Sequence, residues 1–224
     1  MSEVLILYDG YSKMDGDDTM IANCTCTLIK GSQNIIVDTM TAWDSLKILS
    51  ALQKHCLVPD QIDYVISTHG HSDHIGNNNL FLQAKHIVGF SVNFKDKYLL
   101  HPFDKGENYV INESVKIIPT PGHTLSDVTV LVKAVQGEVI AISGDLFEKF
   151  EDIEHPNIWI DAGSENPDLQ SKNRLKVAEL ADWIVPGHGK KFQKTLVIVE
   201  NSQNHKMSLF YKNNASIVLK IDIL

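Results

Sequence analysis

The chain has 224 residues, 43% of them hydrophobic and 21% charged, with a formal net charge of −8 from 28 acidic and 20 basic side chains. That composition suits one soluble globular domain with a sizeable core, and it offers no general basic footprint for nucleic acid. No apolar run approaches the roughly 18 residues that span a bilayer, and the start lacks a secretory leader pattern. An intracellular protein is expected, in the cytoplasm with the nucleus as the other address, and without membrane association.

In chain order, EVLILYDG, NCTCTLIK and QNIIVDT read as short strands separated by Gly, Asp and Asn turns. Cys24 and Cys26 alternate onto one face of the second strand. With Cys56 they form an odd set without zinc-finger spacing, which reads as reduced core thiols. Asp44 to Cys56 is expected to be a helix with Leu46, Leu49, Leu52 and Cys56 on its inner stripe and Trp43 near its start. Pro59-Asp60 opens a turn of helix, and DYVIS is a buried strand. HIGNNNLFLQ should be a short helix and HIVGF a strand. Residues 91–114 read as a polar loop punctuated by Phe94, Tyr98, Phe103 and Tyr109, aromatics suited to a substrate groove or a dimer interface.

VKIIPTPGHT, DVTVLVKA and EVIAISGDLF follow as strands. Asn166 caps a helix with Pro167 at its first position, running to about Asp182 with Leu175, Ala178 and Trp183 inward. WIVPGHG closes as strand and turn. The reading is therefore one domain over residues 1–200 and a tail, 201–224, in which ASIVLKIDIL is a final strand without an evident partner. No second domain is expected.

The chemistry collects at strand ends. The run STHGHSDHIGN supplies His69, His71, Asp73 and His74, and three other strand ends supply His123, Asp145 and His188. Any one of these is an ordinary turn residue. Together, seven imidazoles and carboxylates can close two metal sites. His55, His86, His101, His155 and His205 carry no such context and read as surface or loop residues.

The His-x-His-x-Asp-His run at 69–74, with PTPGHT, ISGDLFE and VPGHG in this order, resembles the metallo-β-lactamase superfamily over roughly residues 4–195. The resemblance implies a four-layer αββα sandwich of two mixed sheets flanked by helices. It further implies one ion on His69, His71 and His123, a second on Asp73, His74 and His188, and Asp145 between them. Several true β-lactamases carry cysteine where Asp145 stands, so antibiotic hydrolysis is disfavoured. DGYS at Asp9–Ser12, Ser72 within the motif and HTLSDVTVLV look like a compact subgroup without extra domains, proposed to be endoribonucleases acting at histone pre-mRNA 3′ ends. Carried over, this means a hydrolase with two Zn2+ per chain (iron or manganese as alternatives), Asp73 and Asp145 as catalytic residues, an RNA substrate and a homodimer.

Three other functions compete. A glyoxalase II-like thioesterase needs a helical glutathione-binding domain that residues 201–224 are too few to supply. A mononuclear iron persulfide dioxygenase would use the first site with Asp145, and a non-catalytic metal-binding module would use the ligands alone. Lys190, Lys191 and Lys194 follow His188 and are candidates for phosphate contact. Thr68, Ser72 and Thr124 are candidates for orienting ligands.

Overall fold

The computed structural model describes residues 2–198, 207–212 and 217–223. The chain opens with β1 (Glu3–Tyr8), β2 (Tyr11–Met14), β3 (Met20–Asn23), β4 (Cys26–Lys30) and β5 (Ile35–Val37). Helix α1 (Ser45–Lys54), β6 (Tyr64–Ser67) and the single-turn α2 (Ser72–Ile75) come next. They lead to β7 (Lys85–Val88), β8 (Ser91–Phe94) and β9 (Lys97–Leu99). The second half comprises β10 (Tyr109–Val110), β11 (Val115–Pro119), β12 (Val128–Lys133) and β13 (Val139–Gly144), then α3 (Asn157–Asp161) and α4 (Pro167–Leu180). It ends with β14 (Trp183–Pro186), β15 (Phe192–Ile198), β16 (Met207–Lys212) and β17 (Ile217–Ile223).

Among the described residues these strands form one sheet in the order β1-β4-β5-β6-β7-β8-β9 and another in the order β10 through β17, with β2 and β3 as a separate ribbon. Both large sheets are mixed: β5, β6 and β7 run parallel, as do β13 and β14, and the remaining pairs are antiparallel. Strand alternation builds the layers. Ile35 and Val37 point inward with Ile66 and Ile87, against Val128, Val130, Ile142 and Val185 of the other sheet. Ile36, one residue out of phase, faces outward with Leu28 and Val65 onto Ile48 and Leu52 of α1. On the far side, Leu131, Ala141 and Ile184 meet Val177 and Ala178 of α4. The result is the expected αββα sandwich.

Several local expectations are corrected. The inner face of α1 is Ile48, Ala51 and Leu52; Leu46 is 79% exposed, and Cys56 lies beyond the helix, exposed and at φ 58°. Only Cys24 and Cys26 are core thiols, their pKa values raised first by burial and then by the Asp38 carboxylate. Residues 91–114 are not a plain loop. They contain the β8–β9 hairpin, which turns through Lys95 at φ 56° without the Gly or Asn that marks such turns in sequence. Phe103 is core, stacked on Phe90 with ring centroids 5.4 Å apart, while Phe94 and Tyr98 stay exposed. Leu175 is exposed; α4 instead buries Gln170, Asn173, Arg174, Val177 and Ala178. Trp183 opens β14, and the helix ends at Leu180. Its N-cap is as expected, with Asn166 Oδ1 accepting from Leu169 N–H at 3.0 Å.

The partner of the final strand is β16, itself paired with β15, so the described part of the tail extends the second sheet. His205 lies outside the described residues. No helix among the described residues is long and apolar enough to cross a membrane.

Candidate metal centre

Topology brings the ligand-bearing turns to one edge. Strands β13 and β14 are parallel neighbours, so Asp145 and His188 leave their C-terminal ends side by side. Strand β11 is antiparallel to β12, which is antiparallel to β13, so the turn carrying His123 emerges at that same edge. In the other sheet β6 delivers His69 to His74 beside Asp38, which follows the parallel β5. Backbone bonds stitch the two edges together: Val128 N–H donates to Thr68 O at 2.9 Å, and Thr25 N–H to Gly187 O at 2.6 Å. Glycine is required at 187, because a Cβ there would overlap Asp145 Oδ1.

All seven sequence-predicted residues converge. His71 Nδ1 lies 2.9 Å from His69 Nε2 and 3.1 Å from His123 Nε2. Asp145 Oδ2 lies 3.5, 3.4 and 3.3 Å from Nε2 of His69, His123 and His188, and its Oδ1 lies 3.2 Å from His74 Nε2. Asp73 Oδ2 is 3.9 Å from His74 Nε2 and 3.8 Å from His188 Nε2. Two groups result, one of His69, His71, His123 and Asp145, the other of Asp73, His74 and His188. A further grouping joins Asp145 and His188 to Glu148. Five of the seven are buried; His71 is exposed and Asp73 partly so, which makes those two the mouth.

These residues fit divalent metal ions. Two donors about 2.0–2.1 Å from a tetrahedral ion sit roughly 3.3–3.4 Å apart, close to the spacings around Asp145. His74 Nε2 and Asp145 Oδ1 are fully buried and face each other, yet neither has a hydrogen-bond partner among the described residues. A cation placed between two such atoms would satisfy both.

Side chains behind the cluster set the imidazole tautomers. His188 Nδ1 faces Asn23 O at 3.0 Å, and a carbonyl can only accept, so Nδ1 carries the proton and Nε2 offers its lone pair inward. His74 Nδ1 likewise faces Asp38 Oδ2 at 3.0 Å. His69 Nδ1 lies 3.1 Å from Thr68 Oγ1, whose own proton goes to Asp38 Oδ2 at 3.0 Å. Asp38 is therefore the hub behind two ligands, a role with no sequence signal beyond an Asp at a strand end. Asp127 does similar work on the other side, accepting from Gly122 N–H, Thr124 N–H and Thr124 Oγ1 at 3.1, 2.7 and 2.6 Å and so shaping the turn that holds His123. Thr68 thus contacts a ligating imidazole directly, whereas Thr124 reaches His123 only through the turn that Asp127 shapes. Ser72 is exposed, and among the described residues its hydroxyl makes no hydrogen bond.

Electrostatics divide the ligands. Burial and neighbouring imidazoles push His69 well below its usual pKa, and burial lowers His123, so both are neutral. Burial pulls His74 and His188 the same way, but the Asp145 carboxylate wins, raising His74 well above its usual value and His188 to about 9. Asp145 is buried, which alone would raise it, and the imidazoles around it, His74 first, hold it well below the carboxylate range. Burial and the Asp145 charge push Glu148 up to about 9. Two of the three basic candidates are engaged elsewhere: Lys194 Nζ caps α4 through Ala178 O and Glu179 O, and Lys191 Nζ sits 4.7 Å from the Trp183 ring centroid.

Comparison with known proteins agrees with this geometry. The metallo-beta-lactamase superfamily profile matches residues 21–188. The chain is 38% identical over 192 residues to metallo-beta-lactamase domain-containing protein 1 of Xenopus laevis, spanning 85% of this chain and 81% of that one. It is 36% identical over 171 residues to the human protein of that name, spanning 75% of this chain and 62% of the human one. In fold it is similar to a Thermotoga maritima protein of metallo-beta-lactamase type, with a TM-score of 0.64 and 21% identity over 86% of this chain and 99% of that one. It is also similar to the dizinc quorum-quenching lactonase AidC, with a TM-score of 0.57 and 15% identity over 91% and 80% of the two chains.

Proposed function

The chain belongs to the metallo-β-lactamase superfamily, whose members are largely metal-dependent hydrolases, and from that premise we propose a dinuclear zinc hydrolase that cleaves RNA phosphodiester bonds. The observation that carries the two-ion reading is the position of Asp145, whose carboxylate faces three imidazoles with one oxygen and a fourth with the other. In this reading His69, His71 and His123 would hold one ion and Asp73, His74 and His188 the other, with Asp145 available to both. When bound, such ions supply Lewis acidity and make water a stronger acid.

The chain's own residues do the rest. Asp38 and the Asn23 carbonyl keep the Nδ1 protons of His74 and His188 away from the site. Asp73, at the mouth, faces His74 and His188 with Oδ2 and would orient the attacking water. The buried wall of His69, His74 and Asp145 excludes bulk solvent behind the reacting group. RNA is favoured over a small ester because the cluster opens on the side of His71 and Asp73, where a polymer can approach, and because of the subgroup likeness. Cytoplasmic or nuclear location and a homodimer accompany this proposal.

The test is metal analysis of purified protein together with single-stranded RNA, thioester, lactone and β-lactam substrates. Two zinc ions per chain with internal RNA cleavage, both lost in Asp145→Ala, is the expected result. One iron per chain with oxygen consumption, or thioester turnover with RNA left intact, would overturn it.

A further inference from the structure

Glu148 is a buried acid beside the cluster that neither ligand group uses. It is 3% exposed, and among the described residues its carboxylate accepts no hydrogen bond; its Oε2 lies 4.0 Å from His188 Nε2. A charged carboxylate in such a position is costly, and either protonation or a cation beside it relieves the cost.

Its position separates two roles. An acid that merely orients a ligating imidazole accepts from the nitrogen turned away from the ion. For His188 that nitrogen is Nδ1, already committed to Asn23 O at 3.0 Å. Glu148 approaches the other nitrogen, Nε2, on the ligating side of the ring. Asp145, Glu148 and His188 each offer a donor atom, all within 4.8 Å of one another.

The backbone fixes Glu148 there. Its N–H donates to Asp152 Oδ2 at 2.7 Å, and its carbonyl accepts from His188 N–H at 2.7 Å. Asp152 is held in turn by Arg174, Nη1 to Oδ2 at 3.0 Å and Nη2 to Oδ1 at 2.6 Å. One backbone hydrogen bond thus joins Glu148 directly to His188.

Asp73, His74, His188 and Asp145 already make the four donors that satisfy zinc. A hard six-coordinate cation such as Mn2+ prefers additional oxygen. We propose that Glu148 is an eighth, facultative ligand that lets the Asp73–His74–His188 position accept Mn2+ as well as zinc. This rests on the two-ion reading above.

The experiment titrates the metal-free chain with Mn2+, followed by loss of the free-ion paramagnetic resonance signal, and separately with Zn2+ against a chromophoric chelator. In Glu148→Gln, one of two Mn2+ ions should bind about tenfold or more weaker while both zinc affinities stay within about threefold, and Glu148→Asp should recover part of the loss. Unchanged Mn2+ binding in Glu148→Gln would overturn the proposal, as would equal losses for both metals, which mean a structural role. Metal-free melting curves confirm that the variants fold. If the unmodified chain binds fewer than two ions of either metal, the two-ion reading itself fails and the proposal with it.

Discussion

Replacing Asp38 by Asn isolates the hub behind the ligands. Asp38 is buried at φ 56°, a backbone region that Asn tolerates, so the substitution changes charge and donor pattern with little backbone strain. Thr68 N–H donates to Asp38 Oδ1 at 2.8 Å, which pins the amide oxygen of Asn to that position. The amide NH2 then replaces Oδ2, 3.0 Å from His74 Nδ1. Two donors would face each other, so His74 must move its proton to Nε2, the nitrogen that faces Asp145 at 3.2 Å. Loss of one charge-assisted hydrogen bond and the wrong tautomer should weaken ion binding at the Asp73–His74–His188 position by about 10- to 100-fold, or ~1.4–2.7 kcal/mol. The other ion, held by residues that Asp38 reaches only through Thr68, should weaken less. Chelator-competition titration with Zn2+ resolves the two affinities. Two zinc ions bound by Asp38→Asn as tightly as by the unmodified chain would refute the tautomer argument.

Gly187→Ala should collide with Asp145 and cost about 1–3 kcal/mol, several degrees in Tm, with metal content falling in parallel; an unchanged melting curve and full metal would count against the packing seen at this turn. With His188 pushed up to about 9 and His74 also raised, both carry protons at pH 7 in the metal-free chain. Zinc binding should then release protons, seen as a calorimetric enthalpy that varies with buffer ionisation heat, with the His188 contribution fading above pH 9; a buffer-independent enthalpy would contradict this. Burial raises Asp127 to about 7 although the three hydrogen bonds it accepts pull the other way. An acid raised in the folded state favours folding below its unfolded pKa, and that contribution is lost as pH climbs through about 7. Urea midpoints of the metal-free chain should therefore decline between about pH 4 and 7, and Asp127→Asn should flatten that decline; an identical slope in the variant would show that another group sets it.

The ligands were legible in sequence because each comes shortly after an apolar strand, and imidazoles or carboxylates gathered at four strand ends have few other uses. The αββα layering was legible only through the motif likeness. Strand alternation itself, as in Ile35-Ile36-Val37, leaves open which face meets which partner. The misses have physical causes. The β8–β9 hairpin turns at Lys95, whose side chain gives no turn signal, and Leu46 shows that an apolar residue at helical spacing need not be inward. Lys194 looked available to phosphate until α4 placed its C-terminal carbonyls on it.

Sequence alone determined the chemistry available to this protein: seven metal-competent side chains, in order, each shortly after an apolar strand. Only the tertiary structure decided how they are held. The tautomers depend on Asp38 and the Asn23 carbonyl, 36 and 165 residues from the imidazoles they orient. Glu148 becomes noteworthy only when β13 and β14 lie parallel and set its carboxylate beside His188. Hydrogen bonds between residues so far apart in the chain follow from strand order and register, which no local pattern records.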